Sequence, residues 1–227
     1  MTDATGQVAA IIPAAGSGNR LGSAKPKAFV ELAGLSLLAR SALTLSAIAD
    51  VIIVAAPEDF VQAAARELEN VDAQIHIVAG GENRQDSVAA ALRVLPEDVQ
   101  VVLVHDAARP LVPLGVVESV VNKVRDGAKA VVPVLPLVDT IKRINPEDEV
   151  IETIDRSQLR RVQTPQGFSR EVIEHAYSDP THVATDDAGL VESLGVAIAT
   201  VPGSELSLKI TNPDDVVHAL SLLERAQ

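Results

Sequence analysis

Residues 8–27 read VAAIIPAAGSGNRLGSAKPK. The stretch begins with five apolar residues that do not alternate with polar ones, and it continues into a loop rich in Gly and Ala. A short apolar run of this kind is typical of a strand buried on both faces, as in a parallel sheet covered by helices. Similar runs follow at residues 51–56, 74–78, 101–105 and 130–134, and helical patterns separate them. This order predicts an α/β fold with a doubly wound, mostly parallel, Rossmann-like sheet and helices on both faces.

The second half of the chain departs from this alternation after Pro136. Residues 138–154 carry β-branched side chains on both sides of an acidic turn, NPEDE at 145–149, which predicts a β-hairpin. A hairpin of this length cannot form a core of its own, so we expect a projecting β-arm at about residues 137–157 that needs a partner surface. The core pattern then resumes, and its last helix begins with Asn212 as cap and Pro213. We expect residues 1–227 to form a single domain.

The composition excludes several classes of function. The 227 residues include no Cys, which rules out thiol catalysis, disulfides and Cys-ligated zinc. The formal net charge is −12 and the chain has no Trp, one Tyr and three Phe, so it lacks the basic face and stacking rings of nucleic-acid binders. Its apolar runs are far shorter than the ~20 residues that a membrane span needs. Because no signal-like leader precedes the first motif, we expect a cytoplasmic protein that binds neither nucleic acid nor membrane.

The Gly-rich loop at residues 13–27 is the first candidate binding segment. It follows the first predicted strand, at the sheet edge where open α/β folds bind ligands. Two known phosphate-binding patterns are absent, because G-x-G-x-x-G would need Gly in place of Leu21 and no Gly-Lys-Ser/Thr follows for a P-loop. Small residues that let an anion approach the backbone, together with Arg20 and Lys27, still favour a phosphate-binding loop. The alternative is a tight turn with solvated cations.

A second candidate segment is VHDAARP at residues 104–110, directly after another predicted strand. Asp106 is a natural ligand for Mg²⁺ on a nucleotide, since that ion takes one or two carboxylates together with phosphate oxygens. Arg109 could bind a phosphate with its planar guanidinium. The alternative is that Asp106 and Arg109 only pair with each other or cap the next turn. We expect His105 to be structural.

Three further features are weaker candidates. In GGENRQDS at residues 80–87, the backbone at Gly80 and Gly81 and the Ser87 hydroxyl could bind the edge of a base, although an ordinary capped loop explains the pattern equally well. Lys209 lies in an apolar run, where an unpaired ammonium is costly, so it either binds a phosphate or pairs with an Asp. Asp186 and Asp187 could hold a second metal ion, but acidic residues also favour the start of a helix.

Taken in order, these segments resemble the 2-C-methyl-D-erythritol 4-phosphate cytidylyltransferases of the non-mevalonate isoprenoid pathway. The strings that carry the resemblance are PAAGSGNRLG, PKAF, GGENRQDSV, VHDAARPLV, DTIKR, TPQGF, TDDAGLVE and LKITNPDD. They lie within residues 8–220, and HDAARP, TPQGF and LKIT in this order make the resemblance specific. One departure is Gly189, where members usually carry Ser.

The resemblance implies a nucleotidyltransferase that joins CTP to methylerythritol 4-phosphate, with Mg²⁺ or another divalent cation as cofactor and Asp106 as its ligand. It implies that the catalytic residues are Arg20, Lys27, Arg156 and Lys209. It assigns CTP binding to Ala14, Ala15, Gly16, Ser17, Gly18, Gly81, Glu82, Ser87 and Asp106. It assigns acceptor binding to Asp106, Ala107, Arg109, Thr140, Arg156 and Lys209. It also implies a homodimer whose β-arm crosses a two-fold axis, so that Arg156 serves the neighbouring subunit's site.

Two other functions remain open on the residues. A ribitol 5-phosphate cytidylyltransferase would share the fold, the reaction and the cations, because both acceptors are small polyol phosphates. A non-catalytic nucleotide-binding regulator of the same fold predicts the loss of a charge at Arg20, Lys27, Asp106 or Lys209, and all four charges are present.

Overall fold

The computed structural model describes residues 6–16, 25–179 and 181–225. Its central strand β1 (Gln7–Pro13) pairs in parallel with β4 (Val51–Ala56) on one side and with β6 (Val99–Val104) on the other. Strand β5 (Gln74–Ala79) lies parallel to β4. Successive residues of β1 enter two separate apolar cores, one on each face of the sheet. This is the arrangement that an apolar run without alternation predicts.

The other half of the sheet is mixed. Strand β7 (Ala130–Pro136) pairs in parallel with β12 (Ile198–Pro202) and antiparallel with β10 (Arg160–Val162). Strand β11 (Gln166–Ser169) runs antiparallel between β6 and β7. Sequence patterns do not predict β11, because QGFS is too short for a periodic pattern and Phe168 is its single large apolar residue. The doubly wound α/β fold is confirmed, with this antiparallel insertion.

Helices cover both faces of the sheet. The core on one face includes residues of α1 (Leu37–Leu45), α2 (Val61–Glu67) and α4 (Leu114–Arg125). The core on the other face includes residues of α3 (Arg84–Leu92), α5 (Arg170–Ala176) and α6 (Asp187–Ser193). None of the helices in the described ranges is long and apolar enough to cross a membrane.

The predicted hairpin is present as β8 (Ile141–Ile144) and β9 (Val150–Ile154), which form a two-stranded sheet of their own. The side chain of Asn145 closes the turn, where its Oδ1 accepts the N–H groups of Glu147 and Glu149. Val150 and Ile151 are 60% and 62% exposed. The β-arm, residues 137–157, therefore presents apolar area that this chain does not cover.

A third, smaller core lies near the end of the chain. It packs Leu32 of the hairpin β2 (Glu31–Leu32) and β3 (Leu35–Ser36) with Ile210 and with Ala219 of α7 (Pro213–Arg225). The predicted cap of α7 is confirmed, since Asn212 Oδ1 accepts the N–H of Asp215 at 3.0 Å. This core fixes the segment that carries Lys209, because Ile210 directly follows it.

Candidate active site

A pocket of about 350 Å³ opens at the carboxyl ends of β1 and β6. After β1 the chain first builds β4 and β5 on one side and then returns to build β6 on the other. Open α/β sheets bind ligands at such a switch point. The described residues that line the pocket are Pro13, Ala14, Ala15, Gly16, Lys27, Ala28, Glu82, Asn83, Arg84, Ser87, Asp106, Ala107, Ala108 and Lys209. The fold thus brings together four predicted segments that are far apart in sequence.

Asp106 lies at the centre of the charged groups in this pocket. It follows β6, and its N–H donates to the Thr164 hydroxyl at 3.1 Å. Its Oδ2 lies 2.8 Å from Lys209 Nζ and 3.9 Å from Arg109 Nε, and its Oδ1 lies 3.1 Å from Arg84 Nε. Burial alone would raise the pKa of Asp106, but these three cations outweigh it and hold the pKa far below its usual range. Asp106 is therefore ionised at neutral pH.

Lys209 reaches Asp106 from the last loop before α7. The N–H of Ile210 donates to the carbonyl of Ala108 at 2.8 Å, so this loop is joined to the segment after β6. Of the two alternatives for Lys209, the pairing with an Asp is present, and the same ammonium lines the pocket. Because its side chain keeps 44% of its exposure, it remains accessible to an anion.

Residues 13–16, at the end of β1 and the start of the Gly-rich loop, also line the pocket, together with Lys27. The N–H of Ala14 donates to the carbonyl of Ala55 at 2.8 Å, which fixes the start of the loop on β4. Ala15 and Gly16 line the pocket, and Lys27 enters it from a short 3-10 turn. The predicted residues Ser17, Gly18 and Arg20 lie outside the described residues.

The loop between β5 and α3 is built around Ser87. The Ser87 hydroxyl donates to the carbonyl of Asn83 at 2.8 Å and accepts the N–H of Gly81 at 3.2 Å. It therefore holds the loop together, and one lone pair remains for a donor on a ligand. A methyl group at Gly80 would lie 2.7 Å from Ala15 Cβ, so glycine is needed where the two loops meet. Glu82 lines the pocket beside them.

Arg84 is a pocket residue to which the sequence patterns give no role of its own. Its Nε binds Asp106, and its Nη2 lies 2.6 Å from Oδ2 of Asp187, a fully buried residue at the start of α6. The other oxygen of Asp187 accepts the Tyr177 hydroxyl at 2.6 Å. Burial alone would lower the pKa of Arg84, but the carboxylates of Asp187 and Asp106 outweigh burial and raise the pKa above its usual value. No local sequence pattern predicts this cluster, because its members, Arg84, Asp106, Tyr177 and Asp187, come from distant parts of the chain.

Three predicted acceptor residues do not line the pocket. Arg109 Nη1 donates to the carbonyl of Ser207 at 2.6 Å, which ties the segment after β6 to the Lys209 loop. Thr140 and Arg156 are exposed residues at the two ends of the β-arm. Arg156 Nη1 donates to the carbonyl of Val138. These two arm residues therefore lie outside the pocket lining of this chain.

The pocket offers a divalent cation a small set of protein ligands. Asp106 and Glu82 are the carboxylates among its described lining residues, and the described chain has no group of three or more acidic or His side chains placed to hold a metal. One carboxylate fits Mg²⁺ that arrives on a nucleotide, because phosphate oxygens and water fill its other positions. Asp186 and Asp187 do not form a second such site: Asp186 caps α6, and Asp187 is taken by Arg84 and Tyr177.

Known proteins resemble this chain along nearly its whole length. Residues 8–225 match the family model described as 2-C-methyl-D-erythritol 4-phosphate cytidylyltransferase (IspD). Enzymes of that name from Saccharopolyspora erythraea and Frankia casuarinae are 50% and 48% identical, over 95% and 98% of this chain and 99% and 83% of their own lengths. The crystal structure of the Thermus thermophilus enzyme is 33% identical with a TM-score of 0.79, covering 96% of this chain and 99% of that one. The 4-diphosphocytidyl-2C-methyl-D-erythritol synthase of Anaerococcus prevotii is 29% identical with a TM-score of 0.84, covering 97% and 99%.

Proposed function

The chain belongs to the 2-C-methyl-D-erythritol 4-phosphate cytidylyltransferase family, and we propose that the pocket at the carboxyl ends of β1 and β6 is its active site. The protein is a nucleotidyltransferase of the non-mevalonate isoprenoid pathway. It transfers the cytidylyl group of CTP to 2-C-methyl-D-erythritol 4-phosphate and releases pyrophosphate. One observation carries the assignment of the site: Lys27, Arg84 and Lys209 line one small pocket in a chain of net charge −12. Such a pocket suits two polyanionic substrates.

The reaction needs no nucleophile from the protein. The acceptor phosphate is largely a dianion at pH 7, with a second pKa of about 6, so it can attack without a general base. One of its oxygens forms a bond to the α-phosphorus of CTP as the bond from that phosphorus to the β-phosphate oxygen breaks. Pyrophosphate leaves in line with the bonding electron pair. The protein's task is to hold two polyanions together and to stabilise charge in the transition state.

The CTP half of the site follows from the two loops that meet at Gly80. The backbone of Ala14, Ala15 and Gly16, with Ser17 and Gly18, would bind the nucleotide, and Lys27 and Arg20 would stabilise charge on the α-phosphate. Gly81, Glu82 and Ser87 would select the base. The free lone pair of Ser87 matches the exocyclic amino group of cytosine, which is a hydrogen-bond donor.

Asp106 is the residue that would hold Mg²⁺ together with phosphate oxygens of CTP. The ion, when bound, supplies positive charge that offsets the developing charge on those oxygens. Asp106 is suited to this role because Thr164 fixes its backbone and Arg84 and Lys209 keep its carboxylate ionised. Each carboxylate oxygen can accept a further contact beside its cation.

The acceptor half of the site combines this pocket with the β-arm of a second chain. Lys209 and Ala107 line the pocket, and Arg109 supports them through Ser207. Arg156 and Thr140 would reach the acceptor phosphate in a homodimer formed through the β-arm. The exposed Val150 and Ile151 support this assembly, since a hairpin with uncovered apolar side chains needs a partner surface. We also propose that each chain is a single domain with its β-arm, and that the enzyme is cytoplasmic.

The function is tested by pyrophosphate release from CTP and Mg²⁺, with methylerythritol 4-phosphate and ribitol 5-phosphate as parallel acceptors. We expect the first acceptor to be preferred by about a hundredfold or more, which corresponds to roughly 3 kcal/mol in the transition state. A preference for ribitol 5-phosphate would overturn the acceptor assignment but keep the site. Release with neither acceptor would overturn both.

A further inference from the structure

The TDDA segment at residues 185–188 contains a buried charge that the proposed reaction does not use. Asp187 is 0% exposed, and both of its carboxylate oxygens are occupied. Oδ1 accepts the Tyr177 hydroxyl, and Oδ2 accepts Arg84 Nη2, each at 2.6 Å. A buried carboxylate is tolerated only when it is paired and hydrogen-bonded in this way. The pairing with Asp187 also restrains the guanidinium of Arg84, with an effect on the pocket.

That effect comes from the other edge of the same guanidinium. Arg84 binds Asp187 through Nη2 and Asp106 through Nε, so one planar group joins a buried carboxylate to the carboxylate in the pocket. With Nη2 held, the plane of Arg84 cannot turn freely, and Nε stays directed at Asp106 Oδ1. Asp106 Oδ2 then faces Lys209 Nζ, which lies 2.8 Å away. The orientation of Asp106 therefore depends on a residue that does not line the pocket.

A second set of contacts fixes the position of Asp187 relative to Asp106. Gln166 of β11 donates through Nε2 to Asp186 at 2.7 Å and accepts the N–H of Ala188 at 3.0 Å, which holds the start of α6. Thr164, two residues earlier, accepts the N–H of Asp106. The same short segment thus holds the backbone of Asp106 and the helix that carries Asp187.

We propose that Asp187, held by Tyr177, is a positioning residue that fixes the Arg84 guanidinium against Asp106 and so orients this carboxylate for the nucleotide. The inference deepens the proposed function and rests on it. Mutation of a group that orients a metal ligand typically costs 10- to 100-fold in metal affinity or activity. The effect should reach CTP only through Arg84.

The test compares Asp187→Asn with Asp186→Asn. Both variants lose one negative charge at the same helix start, but the Asp186 carboxylate caps α6 and accepts from the neutral amide of Gln166 instead of a guanidinium. We expect Asp187→Asn to weaken calorimetric binding of CTP in the presence of Mg²⁺ by about 10- to 100-fold and to lower kcat, while Asp186→Asn stays within about threefold of the wild type. Equal CTP affinity in the two variants would overturn the proposal.

A double-mutant cycle separates positioning from a general loss of stability. In an Arg84→Ala background, Asp187→Asn should change CTP affinity by less than about twofold, because the connecting group is already absent. A full, additive loss in that background would overturn the proposal. If Asp187→Asn does not fold, Tyr177→Phe replaces it in both measurements. This variant keeps the carboxylate but frees one of its oxygens, and we expect a smaller loss of CTP affinity, of about threefold or more; unchanged affinity would overturn the proposal.

These outcomes are distinct from failure of the proposed function. The cycle reports CTP binding alone, whereas the acceptor assay on the wild-type enzyme reports the reaction. If the wild type releases no pyrophosphate but the cycle shows coupling, the proposed function fails and the positioning role of Asp187 stands.

Discussion

At the scale of single residues, the cations of the pocket differ in their expected roles, and Lys27 is the one that we expect to affect mainly the reaction rate. Lys209 and Arg84 are each paired with Asp106. Lys27 lines the same pocket, from the 3-10 turn that begins at the end of the Gly-rich loop. In the proposed mechanism it acts on the α-phosphate, where negative charge grows as the acceptor attacks. Its contribution should therefore appear in turnover more than in binding.

We predict that Lys27→Ala lowers kcat by about 10²-fold or more, while the CTP dissociation constant changes by less than about tenfold. Steady-state pyrophosphate release and calorimetry measure the two quantities. The matched control is Lys25→Ala, since Lys25 is exposed and absent from the pocket lining. Weakened CTP binding with turnover preserved would contradict this role of Lys27.

His105 gives a second prediction, on the pH dependence of stability. Burial lowers the pKa of His105 to about 4, from the usual 6.5, and the ring lies between the Thr164 hydroxyl and the carbonyl of Arg109, 3.2 Å from each. The unfolded chain binds a proton near pH 6.5 that the folded chain does not bind until about pH 4. The free energy of unfolding should therefore fall by about 1 kcal/mol between pH 7.5 and 5.5 from this group.

Urea unfolding at these two pH values measures the effect, and His105→Gln should remove it. The exposed His175, changed to Gln, serves as control and should leave the difference intact. Both pH values lie well above the ordinary pKa of Asp106, 3.8, so that carboxylate does not add to the change. The same pH difference in His105→Gln would show that the effect comes from other groups.

Residue type and position after a strand predict part of this site. Asp106 and Lys209 stand out because an ionised side chain at the end of an apolar run needs a partner. The pairing of Arg84 with Asp187 does not stand out, because the two residues are 103 positions apart and no periodicity links them. Asp187 also follows an ordinary helix cap, which offers a sufficient local explanation of its charge. Only the tertiary fold shows that its carboxylate points inward to a cation.

At the scale of elements, the parallel strands could be predicted and β11 could not. Strands β1, β4 and β6 consist mainly of Val, Ile, Leu and Ala, and each strand contributes residues to both cores. Strand β11 instead depends on its neighbours, because Gly167 lies under α4 with no room for a side chain. A Cβ at this position would lie 2.4 Å from Val120 Cγ1. The close contact between β11 and α4 is invisible in the local pattern.

We predict that Gly167→Ala lowers the free energy of unfolding by about 1–3 kcal/mol, because α4 must shift to admit the methyl group. Gly115→Ala on the same helix is the control, since a Cβ there meets nothing within 4 Å. It should leave stability unchanged or raise it by up to about 1 kcal/mol. Chemical denaturation measures both variants, and equal stability of Gly167→Ala and the wild type would contradict the packing argument.

At the scale of the whole molecule, the β-arm divides the site between two chains in the proposed homodimer. Lys27 lines the pocket of its own chain, whereas Arg156 lies on the β-arm and does not. A dimer of Lys27→Ala with Arg156→Ala chains then has one site with both defects and one site with neither. This arrangement can be tested by mixing the two variants.

We predict that each variant alone is nearly inactive, and that an equal mixture after subunit exchange regains about a quarter of wild-type activity, because half of the dimers are mixed and each has one intact site. Pyrophosphate release measures the recovery, and sedimentation velocity confirms the dimer. A mixture no more active than its components would place Arg156 in the site of its own chain or outside the reaction.

The chain order of the pocket residues has a consequence for how the protein is made. Pro13 is translated first and Lys209 last among the described lining residues, and at about 5–20 residues per second roughly 10 to 40 s separate them. During that time the central strands can already pair, but Lys209 is not yet present to pair with Asp106, and Asp187 is not yet present to pair with Arg84. A nascent or shortened chain can therefore form many of the strand pairs and still lack the contacts that hold the Asp106 carboxylate. CTP should therefore bind a chain that contains Asp187 more tightly than a shorter fragment, and stabilise it more.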